Sequence, residues 1–236
     1  MKGKLYLIPV TLGDSIVSDV IPEKVVQVIN TIEHYIVEDE RSARRFLKKA
    51  GILKPIQELT FFPLDKHAST PQGKFFPLLD QGHNIGLLSE AGCPAVADPG
   101  ADIVKIAHLK GIVVVPLTGP SSIILALMAS GLNGQNFAFR GYIPVPKQER
   151  LKKIKDLEGI SARENQTQIF IETPYRNQYL LEDILATASP STKLCIACDL
   201  TLETEFVQTK TIQEWAKNKP DIHKRPTIFL LHQRKH

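Results

Sequence analysis

A segment of small residues carries two carboxylates and a thiol between two apolar runs of the chain. Residues 89–100 read SEAGCPAVADPG and place Glu90, Cys93 and Asp98 among alanine, glycine and proline. Small residues let a ligand approach the backbone, and a carboxylate can accept hydrogen bonds from ribose hydroxyls or from an amino group. The composition therefore favours a binding loop, although the same residues are also typical of ordinary turns.

A second polar segment, residues 118–122, follows the next apolar run. Its sequence TGPSS places the hydroxyls of Ser121 and Ser122, with free backbone N–H groups, at the start of an apolar helix. Such a helix start suits a carboxylate or another anion, and it is equally well explained as a helix cap. The chain contains neither G-x-G-x-x-G nor G-x-x-x-x-G-K-[ST], so the sequence lacks the usual signatures of dinucleotide and triphosphate sites.

The elements that position these loops alternate between strand and helix. Aliphatic runs at 85–88 and 112–116 predict strands, and the residues between them, which end at Gly111, have a helical period. Further strands are predicted at 4–10, 34–37 and 55–62, with helices at 22–32, 38–51 and 72–81. This alternation predicts a parallel sheet, in which both polar loops leave strands at the carboxyl edge that lines the ligand crevice.

The pattern changes after Ser121. The remaining sequence predicts an apolar helix, a charged helix and several strands, and the last three strands have only one helix among them. Antiparallel neighbours and a smaller mixed sheet are therefore expected. We predict an α/β protein with an N-terminal parallel-sheet domain at 1–118 and a C-terminal mixed-sheet domain at 119–236, with the active site in the cleft between them.

Composition limits the function classes. The chain has 236 residues, 43% of them hydrophobic, and no apolar run long enough for a membrane span, so we predict a cytoplasmic protein without a membrane partner. Cys195 and Cys198 have the spacing of a metal or redox pair, but they fall in a predicted strand, where positions three apart face opposite sides. No metal site is therefore predicted. The net charge of +4 permits a nucleic-acid partner without requiring one.

Seven sequence blocks carry a family resemblance. In chain order they read LYLIPVTLGD, IVEDERSARRFLKKAGI, GLLSEAGCPAVADPG, VVVPLTGPSS, ALMASGL, FAFRGYIP and IFIETPYR. They resemble the blocks of the ribosomal small-subunit methyltransferase I family, within the tetrapyrrole methylase class of S-adenosylmethionine (SAM) dependent methyltransferases. The resemblance implies a two-domain tetrapyrrole-methylase-like fold, a homodimer, and methylation of a ribose 2′-hydroxyl in small-subunit ribosomal RNA. It implies SAM as methyl donor with no metal, and no DNA partner.

The resemblance also implies which residues contact SAM. Glu90 is expected to accept a hydrogen bond from the ribose or amino group, Ser121 and Ser122 to hold the carboxylate end, and Ile171 and Ala197 to flank the adenine. The full set of positions is Leu12, Glu90, Cys93, Ser121, Ser122, Ile171, Ala197 and Thr227.

On the acceptor side, the candidate catalytic residues are Asp39 and Arg41 of VEDER and Glu172 and Arg176 of ETPYR. Carboxylates can orient or deprotonate a hydroxyl, and arginines can bind phosphate through two hydrogen bonds. Stabilising charge at a helix N-terminus explains Asp39 equally well. Glu172 ends an apolar strand, where a carboxylate gains little from burial without a partner.

The chain departs from the family in three blocks, and one of them, the His/Asn block, lies where the acceptor is expected to approach. The usual TPIGNL and SDAGTP are VTLGDS and SEAGCP here, and the block that is usually rich in His and Asn is PLDKHAS, with His67 alone. Two alternatives therefore stay open: methylation of a small molecule such as a tetrapyrrole by the same fold, or a non-catalytic SAM-binding or RNA-binding module.

Two further features bear on RNA binding. The charged helix containing KQERLKKIK is more typical of a solvated face than of an RNA contact. Stacking on bases requires exposed aromatic rings, and the sequence does not separate candidates from core residues among Phe61, Phe62, Phe75, Phe76 and Tyr142.

Overall fold

The structure is a computed structural model that describes residues 1–64 and 74–234. The chain divides into two compact units, Met1–Ser121 and Ser122–His236. His67 and the first two residues of the predicted helix 72–81 lie outside the described residues. Within the described part, no helix is both long enough and apolar enough to cross a membrane.

The first unit contains a parallel sheet of five strands in the order β3-β2-β4-β1-β5. This arrangement confirms the predicted parallel α/β domain. Its elements are β1 (Lys4–Ile8), α1 (Val17–Val20), α2 (Glu23–Ile29), β2 (His34–Val37), α3 (Glu40–Lys49), β3 (Thr60–Pro63), α4 (Phe76–Asp80), β4 (Ile85–Leu88), α5 (Gly100–Leu109) and β5 (Val113–Pro116).

Several predicted elements of this unit are shorter in the structure, and two of the differences have a visible cause. The strand predicted at 55–62 is a 3-10 helix, Ile56–Glu58, followed by β3, because Glu58 N donates to Pro55 O in a tight turn. The helix predicted at 22–32 ends at Ile29. There Asn30 Nδ2 donates to Val26 O while its Oδ1 accepts from Leu53 N, so the side chain competes with continued helix.

Helices cover both faces of the first sheet, and the chain changes face after β3. Apolar residues of α2 and α3 form one buried cluster with Ile8 and Tyr35, whereas those of α4 and α5 form a second cluster with Leu5 and Leu87. The chain therefore leaves β1 and β4, which are adjacent, toward opposite faces. Loops that diverge in this way open a crevice at the carboxyl ends of the strands.

The second unit contains a mixed sheet of five strands in the order β6-β7-β10-β8-β9, with only the β6–β7 pair parallel. The predicted antiparallel neighbours are confirmed. Its elements are α6 (Ser122–Ser130), β6 (Phe137–Tyr142), α7 (Lys147–Glu164), β7 (Thr167–Ile171), a 3-10 helix (Pro174–Arg176), α8 (Asn177–Thr187), β8 (Lys193–Cys198), β9 (Phe206–Thr211), α9 (Ile212–Lys217) and β10 (Thr227–His232).

The core of the second unit lies between this sheet and helices α7, α8 and α9. Phe170, Phe229 and Trp215 are its largest members, and Trp215 Nε1 donates to Leu194 O at 2.8 Å. Cys198 faces this core, whereas Cys195, three positions earlier on β8, faces the other side. Both are free and fully buried, so the pair has the packing role that the strand period predicts.

Candidate active site

Three loops of the first unit meet at the carboxyl edge of its sheet. Val10 N donates to Gly92 O at 3.0 Å, which ties the loop after β1 to the loop after β4. Cys93 Sγ lies 3.4 Å from Pro120 O, which ties the loop after β4 to the loop after β5. Because β1 lies between β4 and β5, parallel strands bring the segments of Leu12, Cys93 and Ser121 together.

Gly92 lies at the centre of this meeting point. Its φ of +72° favours glycine, and a Cβ at this position would lie 3.1 Å from Leu12 Cδ2 and 3.3 Å from Pro120 O. A side chain would therefore push the loops apart. The requirement for glycine was not predicted, because nothing in the local sequence reveals contacts with Leu12 and Pro120.

Two titratable groups of the loop after β4, Asp98 and Cys93, form hydrogen bonds with loop backbone. Asp98 Oδ1 accepts from Ala95 N at 2.8 Å and from Gly100 N at 2.7 Å, which holds the loop at the start of α5. Burial raises the pKa of Asp98 despite these hydrogen bonds, and burial also raises the pKa of Cys93. Cys93 is thus a neutral thiol that donates to the β5 loop, which is a structural role compatible with a nearby ligand.

Glu90 is connected to the segment after β2. Ser42 Oγ lies 2.7 Å from Glu90 Oε1 and 3.0 Å from Asp39 O, and its single proton can serve one of these at a time. Glu90 is otherwise exposed. Ser42 was not predicted as a site residue, and the only local signal is its position three residues after Asp39, which is typical of a helix cap.

Asp39 is the N-cap of α3. Its Oδ1 accepts from Ser42 N at 2.8 Å, and this hydrogen bond lowers the pKa of the Asp39 carboxyl. Arg41 lies exposed on the first turn of the same helix. The capping explanation that the sequence left open therefore describes the observed contact, and the carboxylate keeps its charge at this sheet edge.

In the second unit, the predicted cofactor residues lie at one end of the central strands. Ile171 of β7 and Ala197 of β8 both pair with Ile228 of β10, so they share one row and one face of the sheet. Thr227 pairs with Cys198, which faces the buried core. The structure thus brings Ile171 and Ala197 together and directs Thr227 to the other face.

Glu172 follows β7, is buried, and forms an ion pair with the partly exposed Arg176. Glu172 Oε1 accepts from Arg176 Nη2 and from Thr173 N, both at 2.6 Å. The Glu172 side chain is 1% exposed and that of Arg176 39%. Hydrogen bonding to Glu172 raises the pKa of Arg176, and Arg176 Nε is buried without a partner among the described residues. The partner that burial of Glu172 requires is therefore Arg176.

A small cavity adjoins this ion pair. It has a volume of about 90 Å³ and is lined by Arg150, Glu172, Arg176, Tyr179 and Leu180. Arg150 is fixed by its Nε, which donates to Asp183 Oδ2 at 2.7 Å. Elsewhere, the described residues contain no group of three or more His, Cys, Asp or Glu side chains that could hold a metal ion.

Comparison with known proteins identifies the family. The family profile described as tetrapyrrole (corrin/porphyrin) methylases matches residues 4–216. Ribosomal RNA small subunit methyltransferase I of Escherichia coli O157:H7 is 30% identical over 234 residues, covering 98% of this chain and 78% of the relative. The protein of the same name from Haemophilus influenzae is 30% identical over 235 residues, covering 98% and 79%.

Solved structures agree on the fold. The crystal structure of the methyltransferase CobJ superposes with a TM-score of 0.64 and covers 98% of this chain and 94% of its own, at 15% identity. This likeness confirms the two-sheet α/β architecture predicted from the resemblance. The chain therefore belongs to the tetrapyrrole (corrin/porphyrin) methylase family and is a SAM-dependent methyltransferase.

Proposed function

We propose that this chain methylates a ribose 2′-hydroxyl of small-subunit ribosomal RNA. The observation that carries this proposal is the similarity over nearly the whole chain to relatives named ribosomal RNA small subunit methyltransferase I. The relatives match the second unit as well as the first, so the similarity includes the segment with Glu172 and Arg176.

The three joined loops of the first unit fit SAM as the donor. Gly92 lets the loops of Leu12 and Pro120 pack closely, where a Cβ would crowd both, and Glu90 presents an exposed carboxylate that Ser42 orients. We assign Leu12, Glu90, Cys93 and Ser121 to SAM binding in this unit. In the second unit we assign Ser122, Ile171 and Ala197 to SAM binding. Thr227 is assigned to SAM binding through its backbone alone, because its side chain faces the core.

When bound, SAM supplies an electrophilic methyl group on a sulfonium that leaves as a neutral thioether. The acceptor oxygen forms the new C–O bond and loses its proton, so the chain must orient this hydroxyl and accept the proton. We assign Glu172 as the base that accepts this proton. Arg176 holds one of its carboxylate oxygens, so that the other faces the acceptor. The lowered pKa of Asp39 makes it a weaker base than an ordinary aspartate, and we assign it, with Arg41, to orienting the RNA.

We also propose a cytoplasmic homodimer. The proposed ribosomal RNA acceptor supports a cytoplasmic location, because ribosomes are found there. Helix α6 is apolar around its whole circumference, yet Met128 is 75% exposed and Ile124 45%. An apolar helix with exposed large side chains supports a contact with a second copy of the chain.

Methyl transfer from labelled SAM tests the function. We expect label in isolated small ribosomal subunits, recovered in a 2′-O-methyl nucleoside after digestion, and no label in a tetrapyrrole precursor assayed in parallel. The Glu172→Gln variant should bind SAM normally and transfer about 100-fold more slowly, the usual cost of losing a general base. Label in the tetrapyrrole alone would overturn the proposal.

A further inference from the structure

Three tyrosines are exposed around the Glu172–Arg176 ion pair. Tyr142, Tyr175 and Tyr179 are 61%, 67% and 64% exposed, whereas Tyr35 is fully buried. Large aromatic rings are normally at least partly buried, so three exposed rings in one region require an explanation. We call these three residues the tyrosine surface.

Each of the three tyrosines lies next to Glu172 or Arg176 in the fold. Tyr142 ends β6 and pairs with Ile171, the residue before Glu172, and it interacts electrostatically with Arg176. Tyr175 precedes Arg176 in the 3-10 helix, and Tyr179 lines the small cavity together with Arg176 and Glu172. The tyrosine surface therefore borders the residues that we assign to the acceptor.

Cations accompany the rings. Lys224 Nζ lies 5.6 Å from the centroid of the Tyr175 ring, and Lys224 N donates to Pro174 O at 3.0 Å, which fixes this lysine beside the 3-10 helix. Arg176 Nε is buried without a partner among the described residues, and Lys147 lies at the edge of the same region, 3.9 Å from Asp183. Exposed rings interleaved with lysine and arginine match the bases and phosphates of a single strand.

The other candidate aromatic residues do not offer such a surface. Phe75 and Phe76 are buried, and Phe61 and Phe62 pack against the clusters that cover the first sheet. Phe61 also stacks on Tyr35 with ring centroids 5.8 Å apart. Of these aromatic residues, only Tyr142 is available for stacking, and the structure adds Tyr175 and Tyr179.

We propose that the tyrosine surface binds single-stranded RNA by stacking nucleobases on Tyr142, Tyr175 and Tyr179 while Lys224 contacts phosphate. This proposal rests on the proposed function and specifies the acceptor as an unpaired segment of RNA. Stacking is sequence-tolerant, because every base has an aromatic face. The surface positions the strand, and the choice of nucleotide lies with the acceptor residues.

The test is fluorescence anisotropy with the full chain and a labelled, unstructured RNA of about ten nucleotides, a length within the usual range of single-strand sites. We expect Tyr175→Ala and Tyr179→Ala each to weaken RNA binding about tenfold, and Tyr175→Phe to retain binding because stacking needs the ring and not the hydroxyl. Lys224→Gln should weaken the dependence of RNA affinity on salt concentration by the amount expected for the loss of about one phosphate contact. Leu109→Ala, a truncation of an even more exposed apolar side chain on α5, is the control and should have no effect.

Each outcome decides one claim. Unchanged RNA affinity in the alanine variants overturns the tyrosine surface, even if the parent chain methylates ribosomal RNA. Tyrosine-dependent RNA binding without label in ribosomal RNA supports the surface and contradicts the proposed function. SAM affinity measured on every variant reports whether the fold is intact.

Discussion

At the scale of single residues, Ser42 joins two carboxylates that are far apart in sequence. Its backbone N–H caps α3 through Asp39, and its hydroxyl reaches Glu90 in the loop after β4. Asp39 thus has a structural contact and a charge at the same sheet edge, and the two roles can be separated by substitution.

Replacement of Asp39 by asparagine keeps the cap and removes the charge. The amide oxygen of the new side chain would still accept a hydrogen bond from Ser42 N. We therefore expect Asp39→Asn to have the same urea midpoint of unfolding as the parent, and Asp39→Ala to have a lower one. If the Asp39 charge orients the RNA, Asp39→Asn should also lower kcat/KM for methyl transfer about tenfold. If Asp39→Asn transfers methyl groups with the parent's kcat/KM, the only role of Asp39 is to cap α3.

The Glu172–Arg176 pair makes a prediction about stability. Arg176→Ala leaves a carboxylate that is 1% exposed with Thr173 N as its remaining donor. Loss of one partner from a buried pair is costly, but Arg176 is partly exposed and water can replace it, so we expect a loss of about 1 to 2 kcal/mol in the free energy of unfolding. Arg163→Ala breaks an exposed pair with Glu164 and should change stability little in the same denaturation experiment.

His232 predicts how stability depends on pH. It is buried at the end of β10, and burial, with Arg234 and Lys193 nearby, lowers its pKa below the usual 6.5. The unfolded chain therefore binds more protons, and this histidine contributes stability above pH 6.5 that is lost as the pH falls. His232→Gln should flatten the decline measured by urea unfolding between about pH 7 and pH 5. His223→Gln, at an exposed position, should reproduce the parent's decline.

At the scale of elements, the three joined loops depend on close approach at Gly92. Gly92 and Gly111 both have positive φ, but a Cβ at Gly111 would meet nothing within 4 Å. Gly111→Ala should therefore cost about 1 kcal/mol through the backbone alone, and Gly92→Ala about 2 kcal/mol because it also displaces Leu12 and Pro120.

The same pair of variants tests whether these loops hold SAM. We expect Gly92→Ala to weaken SAM binding at least about tenfold in calorimetry, since a small displacement of positioned groups is expensive. Gly111→Ala, which changes only the end of α5, should bind SAM as the parent does. Equal SAM affinities for the two variants would argue against a cofactor site at this loop junction.

At the scale of the whole molecule, the apolar helix α6 bears on oligomeric state. Met128 and Ile124 remain exposed on α6 although the helix also contacts β8, β9 and β10. Met128→Lys places a charge on this exposed surface, and we expect it to convert a dimer into a monomer in light scattering coupled to gel filtration. Leu109→Ala again serves as the exposed control. A monomeric parent chain would contradict the homodimer.

The sequence by itself determined the parallel sheet, the mixed sheet and the family. These follow from alternating apolar runs, from glycine and proline at turns, and from ordered blocks such as SEAGCPAVADPG and TGPSS, all of which are local or linear properties. It did not determine the bounds of β3 or α2, because Pro55 and Asn30 form turns and side-chain bonds that compete with continued strand or helix.

Only the tertiary structure decided which residues meet. The contact of Ser42 with Glu90, the crowding of Gly92 by Leu12 and Pro120, and the face of Thr227 each depend on strand order and register, which bring together positions distant in the chain. The same is true of the aromatic residues. Phe75 and Tyr142 are both aromatic rings in the sequence, and burial against other elements separates a core residue from a surface that can stack on RNA.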